Sequence, residues 1–313
     1  MAKEKVLITG GSGYLGNVLT GYLLDKGYEV TCLDNLSFGQ RTLLNYSNNP
    51  KFKFVYGDAR DKKLLEKIVP EFEVLIPLAA VVGAPACDLN PINAVSINYD
   101  AVKILNDLRT SEQKFIFPST ISVYGSQPNQ ECTEETIPKS ISLYGKTKID
   151  VEEELAKSSK DFVIFRFATV FGVSPRMRTD LLVNDFVLKA IEDGSLVLYE
   201  GHAMRNYVNI RDTARVFEYA IQNYSSLKNN IYNVGMENNF SKLDLATQIK
   251  NYVPNLEIIN REIKQDVDKR DYKISSQKLK DKGFCTEFSL EDGVKEIIRM
   301  KDILLKNHPY KNI

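Results

Sequence analysis

The chain is 313 residues long, 43% hydrophobic, and carries 41 Lys plus Arg against 41 Asp plus Glu. That length and apolar content supply a sizeable core, enough for one large α/β unit or a unit with an attached lobe. The balanced charge leaves no basic field for nucleic acid or an anionic membrane surface, and no apolar run approaches the roughly twenty residues of a membrane span, so neither partner is expected.

The apolar run Val6-Leu7-Ile8 passes straight into Thr9-Gly10-Gly11-Ser12-Gly13-Tyr14-Leu15-Gly16 and then a helical pattern, which reads as strand, glycine turn and helix. Gly10 permits the tight turn, Gly13 removes a side chain that would hold a pyrophosphate off the backbone, and Gly16 lets the helix pack closely on the strand. The free N–H groups and positive dipole end of that helix then face the phosphates. Glycines at this spacing are a weak signal alone. Here Glu29 to Leu33 reads as a second strand ending at Asp34, about twenty residues past the loop, where a dinucleotide-binding fold places its ribose carboxylate. A carboxylate there bonds a free 2′-hydroxyl and repels a 2′-phosphate, so NAD is expected over NADP, with Arg41 as the complicating residue. The first strand starts too early to leave room for a leader peptide, and a cytoplasmic setting is expected.

Further apolar runs follow at Phe52 to Tyr56, Val74 to Ala80, Phe115 to Phe117 and Phe162 to Phe167, separated by segments of helical period over Asp61 to Val69, Pro91 to Thr110 and Ile141 to Lys157. This alternation specifies a parallel sheet with helices on both faces. Beyond Gly172 it fails. A helix from Asp180 to Glu192, a strand over Leu196 to Tyr199, a stretch from Asn206 to Ile210 and a helix from Asp212 read as a smaller lobe interleaved with the sheet. The expected division is 1–173 with 205–235 for the dinucleotide half and 174–204 with 236–313 for the second lobe. Cys32, Cys87, Cys132 and Cys285 form no Cys-x-x-Cys pair and read as reduced, mostly buried thiols, and His202 and His308 are the only histidines. No metal centre, disulfide framework or Ser-His-Asp machinery is expected.

Several segments belong where the carboxyl ends of the strands converge, the usual ligand crevice of an open parallel sheet. Asp58, followed by Ala59, stands where a carboxylate accepts from an adenine amino group; a solvated turn residue is the plain alternative. Leu78-Ala79-Ala80 has side chains small enough for a cofactor ribose to approach, or simply for tight packing. Ser119 and Thr120 end the fifth strand, where a hydroxyl can face the crevice. Tyr144 and Lys148, four apart, share one helix face, and a neighbouring ammonium together with an oxidised nicotinamide lowers a phenol's pKa towards that of a usable base. The spacing recurs at Tyr22/Lys26, Tyr99/Lys103 and Tyr224/Lys228. Position selects Tyr144, one loop after Ser119 and Thr120.

Taken together, these pieces resemble an extended short-chain dehydrogenase/reductase of the nucleotide-sugar epimerase and dehydratase type over nearly the whole chain. The resemblance is carried by Thr9 to Gly16, Asp34-Asn35, Gly57 to Asp61, Ile97-Asn98, Ser119-Thr120 before Val123-Tyr124-Gly125, Tyr144 to Lys148, and Arg205 to Val208 with Arg211-Asp212. It implies a Rossmann-type doubly wound sheet with a smaller substrate-binding lobe, and NAD held by Gly10, Gly13, Tyr14, Leu15, Gly16, Asp34, Asn35, Asp58, Ala59, Leu78, Ala79, Ala80, Asn98, Ser119, Tyr144 and Lys148. It implies catalysis in which Thr120 bonds the sugar oxygen, Tyr144 takes its proton and Lys148 holds the nicotinamide ribose, with Arg205 and Arg270 clamping the nucleotide diphosphate. A homodimer or dimer of dimers through the Pro91 to Thr110 and Ile141 to Lys157 helices is implied too.

Departures narrow the chemistry. Ile121-Ser122 stand where 4,6-dehydratases of this group carry Asp-Glu, Pro77 replaces the usual His, and Thr169 replaces an asparagine frequent in epimerases acting on UDP-sugars. Two stretches, Ala80 to Cys87 and Arg166 to Asp185, are similar to enzymes that modify GDP-linked heptose for bacterial surface polysaccharides, including GDP-D-glycero-D-manno-heptose 4-dehydrogenases. On that resemblance the expected reaction is NAD-dependent oxidation of a GDP-sugar at C4, with Asn184 among the substrate-binding residues and with Arg176 and Arg178 meeting phosphate or sugar hydroxyls, a solvated loop being the alternative for at least one of the two. The alternatives are a 4-epimerase on a GDP- or UDP-sugar, without net redox change, and, more remotely, a non-catalytic dinucleotide sensor.

Overall fold

The computed structural model describes residues 3–39, 41–128, 130–261 and 271–306. Seven strands form one sheet, in the order Asn230–Val234, Val163–Phe167, Lys114–Thr120, Val74–Pro77, Lys5–Thr9, Glu29–Asp34 and Phe52–Tyr56. Every neighbouring pair is parallel. From Lys5–Thr9 the chain runs outward through the second and third strands, then crosses back to place Val74–Pro77 on the other side of the first. Neighbouring connections diverge between these two strands, where Thr9 lies opposite Pro77, and the crevice opens at their carboxyl ends.

Successive residues of the first strand serve opposite faces, as a two-sided sheet requires. Val6 and Ile8 pack with Leu19, Leu23, Phe217 and Ile221 of helices Tyr14–Asp25 and Ile210–Gln222. Leu7 packs with Leu65, Val102, Leu105, Val151 and Leu155 of helices Lys62–Ile68, Ala101–Leu108 and Leu143–Lys157. A third core, built on Val183, Val187, Leu245, Ile249, Val294 and Ile297, joins helices Leu182–Glu192, Lys242–Lys250 and Leu290–Arg299. Beside it Ser195–Tyr199 pairs in parallel with Glu257–Arg261, a strand the sequence pattern did not suggest. The second and third of these helices open on capping boxes, Ser241 with Asp244 and Ser289 with Asp292.

Some boundaries differ from expectation for local reasons. The strand expected from Val74 to Ala80 stops at Pro77; Leu78 N–H then bonds back to the Thr9 carbonyl at 2.9 Å, starting a crevice loop. The helix expected over Pro91 to Thr110 is two α-helical pieces, Pro91–Val95 and Ala101–Leu108, around a π-helical turn at Ser96–Asp100. The helix expected from Asp212 opens at Ile210, because the Asn209 side chain accepts from Arg211 N at 3.0 Å and caps it. Cys32, Cys87 and Cys132 are buried free thiols and Cys285 is exposed. Among the described residues no helix is long and apolar enough to cross a membrane.

Candidate active site

The glycine loop has the close approaches its sequence promised, with one difference. Gly10 sits at φ 76°, and a Cβ there would stand 2.6 Å from the Ala79 nitrogen. A Cβ on Gly13 would meet only the Gly10 carbonyl, at 3.1 Å. Gly16 is needed for contact with the loop, not the strand: its Cβ would run into Gly10 O and Gly11 Cα. Gly11, not singled out from sequence, is pressed against the Cys32 side chain. Helix Tyr14–Asp25 has no side-chain cap, so its first-turn N–H groups remain for a ligand.

Asp34 stands beside this loop, its Oδ2 accepting from Ser12 N at 2.9 Å and its Oδ1 from Leu36 N at 2.8 Å. Burial raises its pKa against those two bonds. Each oxygen retains a lone pair for a ribose hydroxyl. The Ser12 hydroxyl is buried in the same loop without a hydrogen-bond partner among the described residues. An uncapped helix start, a carboxylate acceptor beside the loop and an unsatisfied hydroxyl fit a dinucleotide laid across the loop. Asp58 is held by Arg60, whose Nε and Nη2 donate at 2.8 and 2.6 Å, and by Asn35 at 3.4 Å; these contacts bring its pKa down to about 2. This is a braced, partly exposed turn with Ala59 beside it.

On the other side of the crevice, Leu78, Ala79 and Ala80 line the loop after the fourth strand, and Ala79 N reaches the Thr9 hydroxyl at 3.4 Å. Asn98, fully buried in the π-helical turn, accepts from Val81 N at 2.8 Å and donates to Val81 O at 3.0 Å and to the Thr147 hydroxyl at 3.4 Å. It fastens the crevice loop to the helix that carries Tyr144. π-helical turns of this kind recur at functional sites.

Helix Leu143–Lys157 is capped by Ser142 through Gly145 N. Gly145 packs so tightly that a Cβ would lie 3.1 Å from Ser122 O, which seats the first turn against the residues after the fifth strand. Tyr144 is half-buried there. Lys148 Nζ lies 5.9 Å from the Tyr144 ring centroid and donates to Pro118 O at 2.8 Å, two residues before Thr120. Burial pushes the Lys148 pKa down to about 8. The Thr120 hydroxyl, also buried, caps the turn after the strand by accepting from Ser122 N at 3.1 Å. The Thr120 hydroxyl also donates to the Ser122 hydroxyl at 3.1 Å, so Lys148 is the group that links the Tyr144 helix to the strand on which Thr120 stands.

Three expected contacts turn elsewhere. Ser119 donates to Glu152, which is gripped by Arg166 through Nη2 at 2.6 Å; Arg166 Nη1 bonds the Tyr124 hydroxyl at 3.0 Å, and that hydroxyl donates to Asn233 at 2.7 Å. The Ser119 hydroxyl is thus committed to a buried network behind the strand, not to the crevice. Asn184 is fully buried, accepting from Gly172 N at 3.0 Å and donating to Arg178 O at 2.8 Å and the Tyr14 hydroxyl at 3.3 Å. Its amide shapes the segment across the glycine loop, with both of its N–H donors committed there. Tyr14 likewise turns its side chain to that segment, donating to Gly172 O at 2.6 Å; only its backbone, with that of Leu15, stays at the phosphate end.

The arginines expected at the substrate divide. Arg178 is paired with Asp180 at 3.1 and 2.5 Å. Arg205 is buried in the two-residue strand Met204–Arg205 with Nη1 on Met204 O at 3.0 Å. Arg176 is 2% exposed, stacks on Phe38 at 4.3 Å and lies within the electrostatic reach of Asp34, on the dinucleotide side. Arg270 lies outside the described residues.

Residues 6–235 match the model of the NAD dependent epimerase/dehydratase family. The chain belongs to that family. Its cofactor is NAD, which the glycine loop and Asp34 suit. A Methanocaldococcus jannaschii relative named "Putative UDP-glucose 4-epimerase" is 28% identical over 304 residues, covering 94% of this chain and 97% of that one. Among solved structures, UDP-glucose 4-epimerase from Thermotoga maritima with UDP-glucose superposes with a TM-score of 0.79 at 23% identity, covering 96% of this chain and 99% of that one. The dTDP-glucose 4,6-dehydratase of Bacillus anthracis in complex with NAD gives 0.81 at 22%, covering 98% of each. At that identity these structures speak for the fold alone. The family match makes the chain an NAD-dependent enzyme of nucleotide-sugar epimerase/dehydratase type.

Proposed function

We propose that this family member is a nucleotide-sugar 4-epimerase, with Tyr144 as base, Thr120 as the group that orients the reacting hydroxyl and Lys148 as the cation beside them. The observation that supports this reading is that Lys148 Nζ lies 5.9 Å from the Tyr144 ring centroid while bonded to Pro118 O, two residues before Thr120 on the fifth strand. NAD supplies a hydride acceptor that can return what it takes. Tyr144 removes the proton of the sugar's C4 hydroxyl, and Thr120 holds that oxygen in line. Lys148 stabilises the phenolate charge, and Asn98 keeps the crevice loop in register with their helix.

Ile121 and Ser122 are buried where dehydratases carry their acid and base, which weighs against elimination of water. The 4-epimerase names of curated relatives favour return of the hydride over release of a keto sugar. They also favour a UDP-sugar. The second reading, oxidation of GDP-heptose at C4 as for surface polysaccharide, rests on the Ala80 to Cys87 and Arg166 to Asp185 stretches. The interleaved lobes, 1–173 with 205–235 and 174–204 with 236–313, would close on the substrate, with Arg205 and Arg270 towards its diphosphate. Exposed Leu89, Ile92, Val95 and Ile141, beside helices Pro91–Val95 and Leu143–Lys157, favour a homodimer through that face. Three buried free thiols accord with a reducing cytoplasm.

The test is a panel of UDP- and GDP-sugars, followed by proton NMR for the C4 epimer and by reduced-nicotinamide absorbance. Epimer without accumulating reduced cofactor is expected, and Tyr144→Phe should slow it about 10²-fold or more while still binding NAD. A Tyr144→Phe variant as fast as the parent defeats the assignment.

A further inference from the structure

Arg176 is better placed to hold the cofactor than the sugar nucleotide. The segment that carries it is bolted to the first residue of the uncapped helix: the Ser174 hydroxyl donates to Tyr14 O at 2.8 Å, and the Tyr14 hydroxyl donates to Gly172 O at 2.6 Å. Asn184 completes the bracket by bonding the Tyr14 hydroxyl and Arg178 O. Two residues past Ser174, the Arg176 guanidinium lies on Phe38, in the turn that follows Asp34. Asp34 in turn holds the Ser12 nitrogen of the glycine loop. The cation is therefore enclosed between the phosphate-facing loop and the ribose-facing turn.

Its hydrogen bonding is unfinished. Arg176 is 2% exposed, its Nη1 makes one long bond to Met177 O at 3.4 Å, and its Nε and Nη2 have no partner among the described residues. Asp34 attracts it without pairing, and Arg178 is already taken by Asp180. A buried guanidinium with two idle donors calls for an anion with paired oxygens. The Ser12 hydroxyl, idle in the same loop, asks for an acceptor as well.

We infer that Arg176 is a clasp for the diphosphate of NAD, reaching from the 172–184 segment over the glycine loop, so that the second lobe shares in holding the cofactor. One anion then satisfies the helix N-terminus, the Ser12 hydroxyl and the guanidinium fork together. Release of NAD requires this segment to lift. Such retention suits a cycle that hands the hydride back, a consequence that rests on the epimerase reading, whereas the clasp itself does not.

The experiment uses full-length protein stripped of nucleotide and contains no hexose or heptose substrate, so it is independent of what reaction is catalysed. Calorimetric titration compares NAD, ADP-ribose, adenosine, NADP and UDP on the parent, Arg176→Gln and Arg176→Lys, with melting of each nucleotide-free protein. Arg176→Gln should weaken NAD and ADP-ribose about tenfold or more, and leave adenosine, which lacks the diphosphate, unchanged. Arg176→Lys should recover part of the loss. The nucleotide-free Arg176→Gln protein should melt no lower than the parent, because an uncompensated buried charge has been removed. Unchanged NAD affinity overturns the proposal, as does a loss confined to NADP or to UDP. A lower melting temperature with NAD affinity intact marks a structural arginine and overturns it too.

Discussion

Arg166 and Arg176 are both almost wholly buried, yet the regions around them are built in opposite ways. Arg166 meets a carboxylate with Nε and Nη2 and a phenol with Nη1, and the chain of bonds runs on through Tyr124 to Asn233. Arg176 leaves two of its nitrogens idle beside the glycine loop. The first network is complete without any ligand and ties the fifth and sixth sheet strands to helix Leu143–Lys157. The second is complete only when something anionic arrives. Paired buried charge marks the scaffold here, and unpaired buried charge marks the binding site.

Breaking the complete network should give the largest effect. Glu152→Gln or Arg166→Met strands a buried partner, and each should cost about 3–5 kcal/mol of unfolding free energy. The double variant should cost less than the sum, since neither charge is left alone. Urea unfolding measures this. Single variants within about 0.5 kcal/mol of the parent would erase the distinction between the two arginines.

A smaller effect is expected from Tyr14→Phe, which removes the hydroxyl joining the glycine helix to Gly172 and Asn184. Stability should drop by about 1 kcal/mol. NAD binding should weaken although no ligand contact is lost, because the segment bearing Arg176 is loosened. Unaltered NAD affinity in this variant would show that the segment needs no such bolt.

Lys148 gives a pH signature of its own. Burial lowers its folded pKa to about 8, below the ordinary value of 10.5, so between those limits the unfolded chain binds more protons than the native one. The lysine's contribution therefore rises with pH across that window. Denaturation midpoints at the two ends, compared between the parent and Lys148→Met, should show the parent gaining relative to the variant. A constant difference would mean that the ammonium is better solvated than its burial implies.

The least effect belongs to Asp58, paired at a partly exposed turn with Arg60. Its folded pKa of about 2 lies below the ordinary 3.8, so its contribution is present above the latter and fades as pH falls through the former. Asp58→Asn should cost less than about 1 kcal/mol at neutral pH, measured by urea unfolding. A loss as large as that of Glu152→Gln would mean that exposure does not separate these pairs.

Much of this was legible in the sequence because it is local. The glycine turn, Asp34 one strand later, and Tyr144 with Lys148 one helical turn apart all follow from spacing and from strand ends that a parallel sheet gathers in one crevice. What was not legible depends on contacts between distant segments. Nothing near Arg176 says that it will lie on Phe38, nothing near Ser119 says that Glu152 will claim its hydroxyl, and Asn184 looks free until Gly172, Arg178 and Tyr14 surround it. The π-helical turn that presents Asn98 was equally hidden, since one extra residue in a turn leaves a helical pattern largely intact.

The most direct measurement of the central claim uses the UDP-sugar that raises the melting temperature most, carrying deuterium at C4, incubated with the NAD-loaded enzyme. The account predicts a C4 epimer that keeps its deuterium, with no build-up of reduced nicotinamide. Stoichiometric reduced nicotinamide together with a released 4-keto sugar would contradict it and make the enzyme a dehydrogenase.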